Sequence, residues 1–238
     1  MEIPHREFQE LPGCIELQGG NAAELPGYEE GLFYVQDRAA RLAVEIGSPR
    51  PGMSVLDACA CPGGKSFAAA ITMENKGSIL ARDIHGKKLS LVSRGAQRLG
   101  IDIISTACGD AREPEEKLND RFDLVIGDVP CSGFGVIGKK PEIRYKDRAS
   151  LRGLPRIQRD IIFNLADFVK PGGTLLYSTC TIFEEENEAV VREFLNHRPD
   201  FRLDSFSLFG RKFEGMYTFW PNVDGTDGFF AARLVRKN

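Results

Sequence analysis

The stretch Phe122-Asp-Leu-Val-Ile-Gly-Asp-Val-Pro-Cys-Ser-Gly133 begins as an apolar run and ends in turn-forming residues. Residues 124–126 read as a fully buried strand. Asp128, Pro130, Cys131 and Gly133 then carry an acid and a thiol into a turn. In open α/β sheets, ligands sit at the carboxyl ends of the strands. The plain alternative is a strand followed by an ordinary turn and a core cysteine. The flanking chain decides against it.

A regular alternation runs outward from this strand. Upstream, 54–56 reads as a strand ending at Asp57, and 65–73 as a helix. Residues 79–81 read as a strand ending at Asp83, 87–99 as a helix, and 101–107 as a strand followed by Gly109-Asp110. A short polar helix is expected at 113–118. Downstream, 157–169 reads as a helix stopped by Lys170-Pro-Gly-Gly173, and 174–177 as a strand ending in Ser178-Thr179-Cys180-Thr181. Residues 184–195 read as a helix and 228–234 as a last strand. Before the alternation, Ala39, Leu42, Ala43 and Ile46 share one helical face, ended by Gly47, and Pro49, Pro51 and Gly52 form a hinge. Strand–helix alternation of this kind makes an α/β fold with a mostly parallel, doubly wound sheet. Residues 1–30 are broken by Pro4, Pro12, Gly13, Gly19, Gly20, Pro26 and Gly27. They read as an extended, partly stranded lead-in, the remnant of a preceding subdomain, with the main domain over 31–238.

Bulk properties agree with one ordered domain: 238 residues, 42% hydrophobic and 27% charged. No apolar run is long enough to span a bilayer, and Met1, Glu2 and Pro4 do not begin a signal peptide. The cysteines are Cys14, Cys59, Cys61, Cys108, Cys131 and Cys180, with no Cys-x-x-Cys pair. Free thiols in a reducing cytoplasm, without a bound metal, are the expectation. The net charge of −3 is not that of a typical nucleic-acid binder. Its distribution is uneven. Lys139, Lys140, Arg144, Lys146, Arg148, Arg152, Arg156 and Arg159 are opposed over that segment only by Glu142 and Asp147. This is either a solvated face or a phosphate-contacting patch.

In a parallel sheet, the strand ends collect at one edge. Here that edge receives Asp57 with the loop 58–65, then Asp83, Asp110, Asp128 with Cys131, and Cys180. The loop Cys59-Ala60-Cys61-Pro62-Gly63-Gly64-Lys65 opens a helix, and its glycines let the backbone approach a ligand. A phosphate loop needs a glycine where Cys59 stands, and Pro62 removes an amide donor. The dinucleotide pattern Gly-x-Gly-x-x-Gly is absent. Asp83 is placed for ribose hydroxyls, and Asp110 for an adenine amino group. A nucleoside without a phosphate chain fits best, which points to S-adenosylmethionine.

Asp57-Ala-Cys-Ala-Cys-Pro-Gly-Gly-Lys65, Gly127-Asp-Val-Pro-Cys-Ser-Gly133 and Tyr177-Ser-Thr-Cys-Thr181 resemble the motifs of the Sun/Nop-type RNA cytosine methyltransferases. Tyr34-Val-Gln-Asp37, Glu184-Glu-Glu-Asn187 and Asp227-Gly-Phe-Phe-Ala-Ala-Arg233 match as well. Gly135-Val-Ile-Gly-Lys-Lys-Pro-Glu-Ile-Arg144 is similar to the RsmB-like branch, which acts on small-subunit ribosomal RNA. Val129 and Cys61 stand where that family usually has alanine. The resemblance covers the chain from about residue 30. It implies a Rossmann-like class I S-adenosylmethionine-dependent methyltransferase fold, acting on carbon-5 of an RNA cytosine; a monomer in the cytoplasm is the further expectation. Transfer RNA is the alternative substrate, and a catalytically silent RNA-binding module the alternative of another class.

Cytosine carbon-5 is a poor nucleophile until a thiolate adds to carbon-6. Chemistry alone leaves Cys131 and Cys180 both open for that attack. The resemblance assigns it to Cys180, gives Cys131 the loss of the carbon-5 proton and enzyme release, and sets Asp128 against the base edge at N3. It places the cofactor among 59–65, Asp83, Asp110 and Asp128. Lys139, Lys140 and Arg144 are the candidate RNA contacts. Cys14 and Cys108, with the thiols of Cys59 and Cys61, read as inert packing, and Lys65 as a loop or cofactor contact.

Overall fold

The computed structural model describes residues 5–8, 10–17, 21–147 and 151–238. Arg148 of the basic segment, and Pro4, Gly19 and Gly20 of the lead-in, lie outside them. A hairpin of β1 (His5–Glu7) and β2 (Ile15–Leu17) precedes helix α1 (Arg38–Gly47). Then follow β3 (Ser54–Asp57), α2 (Gly64–Thr72), β4 (Ser78–Asp83), α3 (Leu89–Arg98), β5 (Ile104–Cys108), β6 (Phe122–Asp128), α4 (Leu154–Phe168), β7 (Val169–Thr179) and α5 (Glu188–His197). The last stretch holds β8 (Phe201–Leu203), β9 (Phe206–Leu208), β10 (Arg211–Phe213), β11 (Met216–Phe219) and β12 (Phe229–Arg236).

The main sheet has eight strands in the order β11-β12-β7-β6-β3-β4-β5, with β8 also pairing β12. Strands β5, β4, β3, β6 and β7 are mutually parallel, and β12 joins β7 antiparallel. The chain steps outward from β3 to β4 and β5, then crosses back to β6 on the other side of β3. The carboxyl ends of β3 and β6 therefore flank the topological switch point, where such sheets bind ligands.

Strand period two sets the layers. Val55, Ile79, Leu124, Ile126 and Leu176 face the cluster that holds the apolar stripes of α1, α2 and α3. Their neighbours Leu56, Val125, Leu175 and Tyr177 face α4 and α5. Both faces are covered, so the central strands read as nearly continuous apolar runs. Asp37 starts α1 by accepting from the amides of Ala39 (2.8 Å) and Ala40 (3.2 Å).

The structure departs from the sequence reading in four places. The short helix expected at 113–118 is a 3-10 turn at Glu116–Leu118. Lys170-Pro-Gly-Gly173 does not separate helix from strand: β7 already begins at Val169, and its pairing with β6 slips between Phe122 and Leu124, which leaves the Pro-Gly-Gly segment as a bulge. The helix expected over 184–195 opens with a 3-10 turn at Glu184–Glu186, and α5 proper starts at Glu188. Strands β8 to β11 are absent from that reading. Each has three or four residues, below the length at which alternation can be recognised.

The loop after β6 is stitched to the ends of β7 and β12. The Gly135 amide donates to the Cys180 carbonyl at 3.0 Å, and the Gly228 amide to the Gly135 carbonyl at 2.9 Å. A Cβ on Gly135 would lie 1.8 Å from the Gly228 oxygen. Gly135→Ala should therefore destabilise the fold by roughly 1–3 kcal/mol through forced separation of these segments. Urea unfolding measures it, and an unchanged midpoint would show that the loop parts from β12 freely.

Candidate active site

The loop after β3 is shaped by its own backbone. The Ala58 amide donates to Ile126 O (2.9 Å), Ala60 to Arg82 O (2.8 Å) and Gly63 to Ala60 O (2.7 Å). Gly63 caps α2 at φ 117°, and a Cβ there would strike the Phe67 ring at 2.5 Å, so only glycine fits. Asp83 braces the loop from β4. Its Oδ2 accepts from the Cys61 amide at 3.1 Å and its Oδ1 from the His85 amide at 2.8 Å. The loop borders a cavity of about 230 Å³, walled by Val35, Gln36, Asp37 and Ala40 on one side and by Asp57, Lys65 and Asp128 on the other. Cys59, Ala60, Cys61, Pro62 and Gly64 complete the wall.

Asp83 and Asp110 are not part of that wall. Asp110 follows β5 and takes Arg112 in a fork, Nε to Oδ1 at 3.0 Å and Nη2 to Oδ2 at 2.5 Å. This bonding with Arg112 holds its carboxyl below the usual carboxylate range. Asp57 is fully buried; Ser66 Oγ donates to its Oδ2 at 2.7 Å, and among the described residues its Oδ1 has no hydrogen-bond partner. Burial pushes the Asp57 carboxyl up to about 6.

Lys65, on the first turn of α2, reaches across the switch point. Its Nζ donates to Asp128 Oδ2 at 2.6 Å, and Ser178 Oγ of β7 donates to Asp128 Oδ1 at 2.9 Å. Burial by itself lowers the pKa of the Lys65 ammonium, but the Asp128 carboxylate outweighs it and carries the lysine above its ordinary value. The two residues expected as separate cofactor contacts thus form one ion pair.

Both thiols flagged in the sequence meet there. Cys131 and Cys180 are free, with sulfurs 3.2 Å apart. The bond to Cys180, burial and the Asp128 charge push the Cys131 thiol up. The bond from Cys131 pulls the Cys180 thiol down; burial and Asp128 oppose this, and the Lys65 ammonium adds to it. The pull toward the thiolate thus falls on Cys180. The other loop thiols move the opposite way: burial raises Cys59 far above the usual range and Cys61 to about 11.

The basic segment divides. Lys139 Nζ is held between Asp37 (2.5 Å) and Asp227 (2.7 Å), Lys146 donates to Ser132 O (2.7 Å), and Arg159 pairs with Glu193 (2.8 Å). Lys140 and Arg144 are exposed and make no ion pair among the described residues. Among those residues, no group of three or more His, Cys, Asp or Glu is placed to hold a metal ion. The sequence reading did not foresee Ser178 as a partner of Asp128, or Val35, Gln36 and Ala40 as cavity wall. Tyr34-Val-Gln-Asp37 was the available signal for the wall.

A family model for 16S rRNA methyltransferase RsmB/F matches residues 44–235. The chain belongs to the RsmB/F family. It is 40% identical over 235 residues to a protein of Bacillus subtilis (strain 168) named probable ribosomal RNA small subunit methyltransferase B, covering 94% of this chain and 52% of that one. The chain thus spans about half the length of the curated relatives it matches. Among solved structures, PH0851 superposes with a TM-score of 0.91 at 35% identity, over 98% of this chain and 54% of its own. NSun6 from Pyrococcus horikoshii, solved with SFG, gives 0.80 at 28% identity, over 94% of this chain and 59% of its own. The fold of this RsmB/F member is the Rossmann-like class I methyltransferase fold.

Asp57 gives a pH test with a definite sign. Its folded pKa of about 6 lies above the reference 3.8. The folded state therefore binds the proton more tightly, and the contribution is full below about pH 4 and lost as pH rises through about 6. Asp57→Asn cannot ionise. Relative to wild type it should gain about 3 kcal/mol of unfolding free energy across that window. Parallel pH–stability curves from urea melts of the two proteins would contradict this.

Proposed function

We propose that this chain transfers a methyl group from S-adenosylmethionine to carbon-5 of a cytosine in RNA, with small-subunit ribosomal RNA as substrate. The observation that carries the reading is the Cys131–Cys180 pair beside the Lys65–Asp128 ion pair, whose two members line the cavity at the glycine loop. Family membership and the methyltransferase fold support it. We also infer a methyltransferase domain over 31–238 after a lead-in over 1–30, working as a monomer in the cytoplasm.

The cavity suits a cationic nucleoside better than a phosphate. Asp57 and Asp128 face it, Asp57 carries an unsatisfied buried oxygen, and Pro62 offers no amide. Residues 59–65, Asp57 and Asp128 would hold the methionine end. Asp83 would take ribose hydroxyls and Asp110 the adenine amino group; each Asp83 oxygen keeps a lone pair beyond its backbone bond. S-adenosylmethionine, when bound, supplies the electrophilic methyl group.

In this reading the Cys180 thiolate adds to carbon-6 and makes carbon-5 nucleophilic. Asp128, fixed by Lys65 and Ser178, faces the base edge at N3; once the adduct takes up a proton from solvent at N3, the carboxylate accepts from N3–H and favours the adduct. Once carbon-5 is methylated, Cys131 assists loss of its proton. The electrons left behind restore the ring double bond, and Cys180 departs as thiolate. The target base leaves its stack to reach the sulfurs. Lys140 and Arg144 contact backbone phosphates, and Lys139 joins them only by leaving Asp37 and Asp227.

The two thiols should fail differently. With S-adenosylmethionine and substrate RNA, Cys131→Ala should trap a protein–RNA adduct that survives a denaturing gel. Cys180→Ala and the double variant should give neither adduct nor methylated RNA. An adduct that persists in Cys180→Ala and vanishes in Cys131→Ala would exchange the two roles.

A further inference from the structure

Two sulfurs 3.2 Å apart keep one geometry only if the backbone on either side of each is fixed. The sequence after β7 supplies the means. Glu186 and Asn187 are both buried, at 4% and 0% exposure, although neither lines the cavity. Glu186 Oε2 accepts from the Ser132 amide at 2.9 Å, on the residue after Cys131. It also accepts from Gln158 Nε2 at 2.8 Å. The same Gln158 nitrogen donates to Pro130 O at 3.0 Å, on the residue before Cys131. Gln158 and Glu186 therefore grip Cys131 from both sides.

Asn187 does the same for Cys180. Thr179 Oγ1 donates to Asn187 Oδ1 at 2.6 Å, and Asn187 Nδ2 donates to Thr181 O at 3.0 Å. The two grips are tied together. Ser132 Oγ and Thr181 Oγ1, one residue beyond each cysteine, share a hydrogen bond of 2.8 Å, and Tyr177 OH donates to Glu186 O at 2.6 Å. Burying a carboxylate is costly, and a packed apolar side chain would serve stability as well or better. A buried Glu–Gln–Asn set placed beside four successive neighbours of two thiols therefore calls for a role other than stability.

We propose that Gln158, Glu186 and Asn187 are positioning residues that hold Cys131 and Cys180 in the mutual geometry used by the two-thiol chemistry, a role that rests on the reading given above. They act through the backbone and the hydroxyl bridge and touch neither sulfur in the bonds described. The titratable groups that face the sulfurs are each other, Asp128 from β6, Lys65 from α2 and Tyr177 from β7. Substitution at 158 or 187 leaves all of these in place, whereas Glu186→Gln also removes a charge that acts on Tyr177.

The test reads thiol reactivity in the whole protein without RNA. Alkylation of Cys180 by iodoacetamide is followed across pH by peptide mass spectrometry, at a temperature where melts show every variant folded. Gln158→Met and Asn187→Leu are neutral and close in size. Each should raise the Cys180 midpoint, because Cys131 no longer sits to donate to it. A rise of one pH unit reads as a roughly tenfold slower alkylation below the midpoint. Glu186→Gln keeps an oxygen for the Ser132 amide and should stay near wild type. If Gln158→Met does not fold, Ser132→Ala removes the hydroxyl bridge with a single atom and should shift the midpoint the same way. Profiles that superimpose on wild type in folded variants overturn the proposal. In the RNA assay, Gln158→Met should lower kcat with little change in KM and accumulate the adduct. Shifted midpoints with no adduct in any variant, Cys131→Ala included, would leave the grip standing and remove the methyl-transfer reading instead.

Discussion

The ion pair between Lys65 and Asp128 ties the site together. It joins the first turn of α2 to the end of β6 across the switch point, through a 2.6 Å contact between half-buried side chains. The ladder joins β3 to β6 as far as Asp57 and Ile126. Beyond that last rung, the ion pair links the loops that follow the two strands. It also puts an ammonium near Cys180, where it favours the thiolate, and leaves Asp128 with its second oxygen on Ser178. Removal of either partner would strand a charge in a poorly solvated place, which is far more damaging than the pair is stabilising.

Around that pair the polar interior is arranged in shells. Asp83 orients the glycine loop through two amides, while Asp57 sits below it with one oxygen unsatisfied. Gln158, Glu186 and Asn187 fix the thiol loops from behind. Lys139 clips the loop after Cys131 to the start of α1 and to the turn before β12. The reactive groups are thus borne by strand ends and short loops, but every such loop is tied to a rigid element.

Much of the architecture was legible because it depends on local pattern. The short apolar runs at 54–56, 79–81 and 124–126 lie in strands covered on both faces and stand out without alternation. An acid or thiol at each strand end then follows from parallel topology. Strands β8 to β11 escaped because three or four residues carry no readable period. The site was legible as a set of residues and not as a set of contacts. Lys65 and Asp128 lie 63 positions apart, and no local signal says that the lysine serves the acid rather than a ligand. Lys139 stands in a basic run and reads as a phosphate contact, yet two carboxylates from distant loops hold it. Gln158 shows in sequence only as one polar residue on a helix. Its function comes from the bulk of α4 packing it against Pro130.

The chain carries the fold, the loop and both thiols within about half the length of its curated relatives. The claim that matters most is therefore chemical: that this half directs a methyl group to cytosine carbon-5. Nucleoside mass spectrometry of small-subunit ribosomal RNA, after incubation with the protein and methyl-labelled S-adenosylmethionine, tests it directly. The account predicts labelled 5-methylcytidine that disappears with Cys180→Ala. Label on another base, label on transfer RNA alone, or no label while RNA binding persists would contradict it.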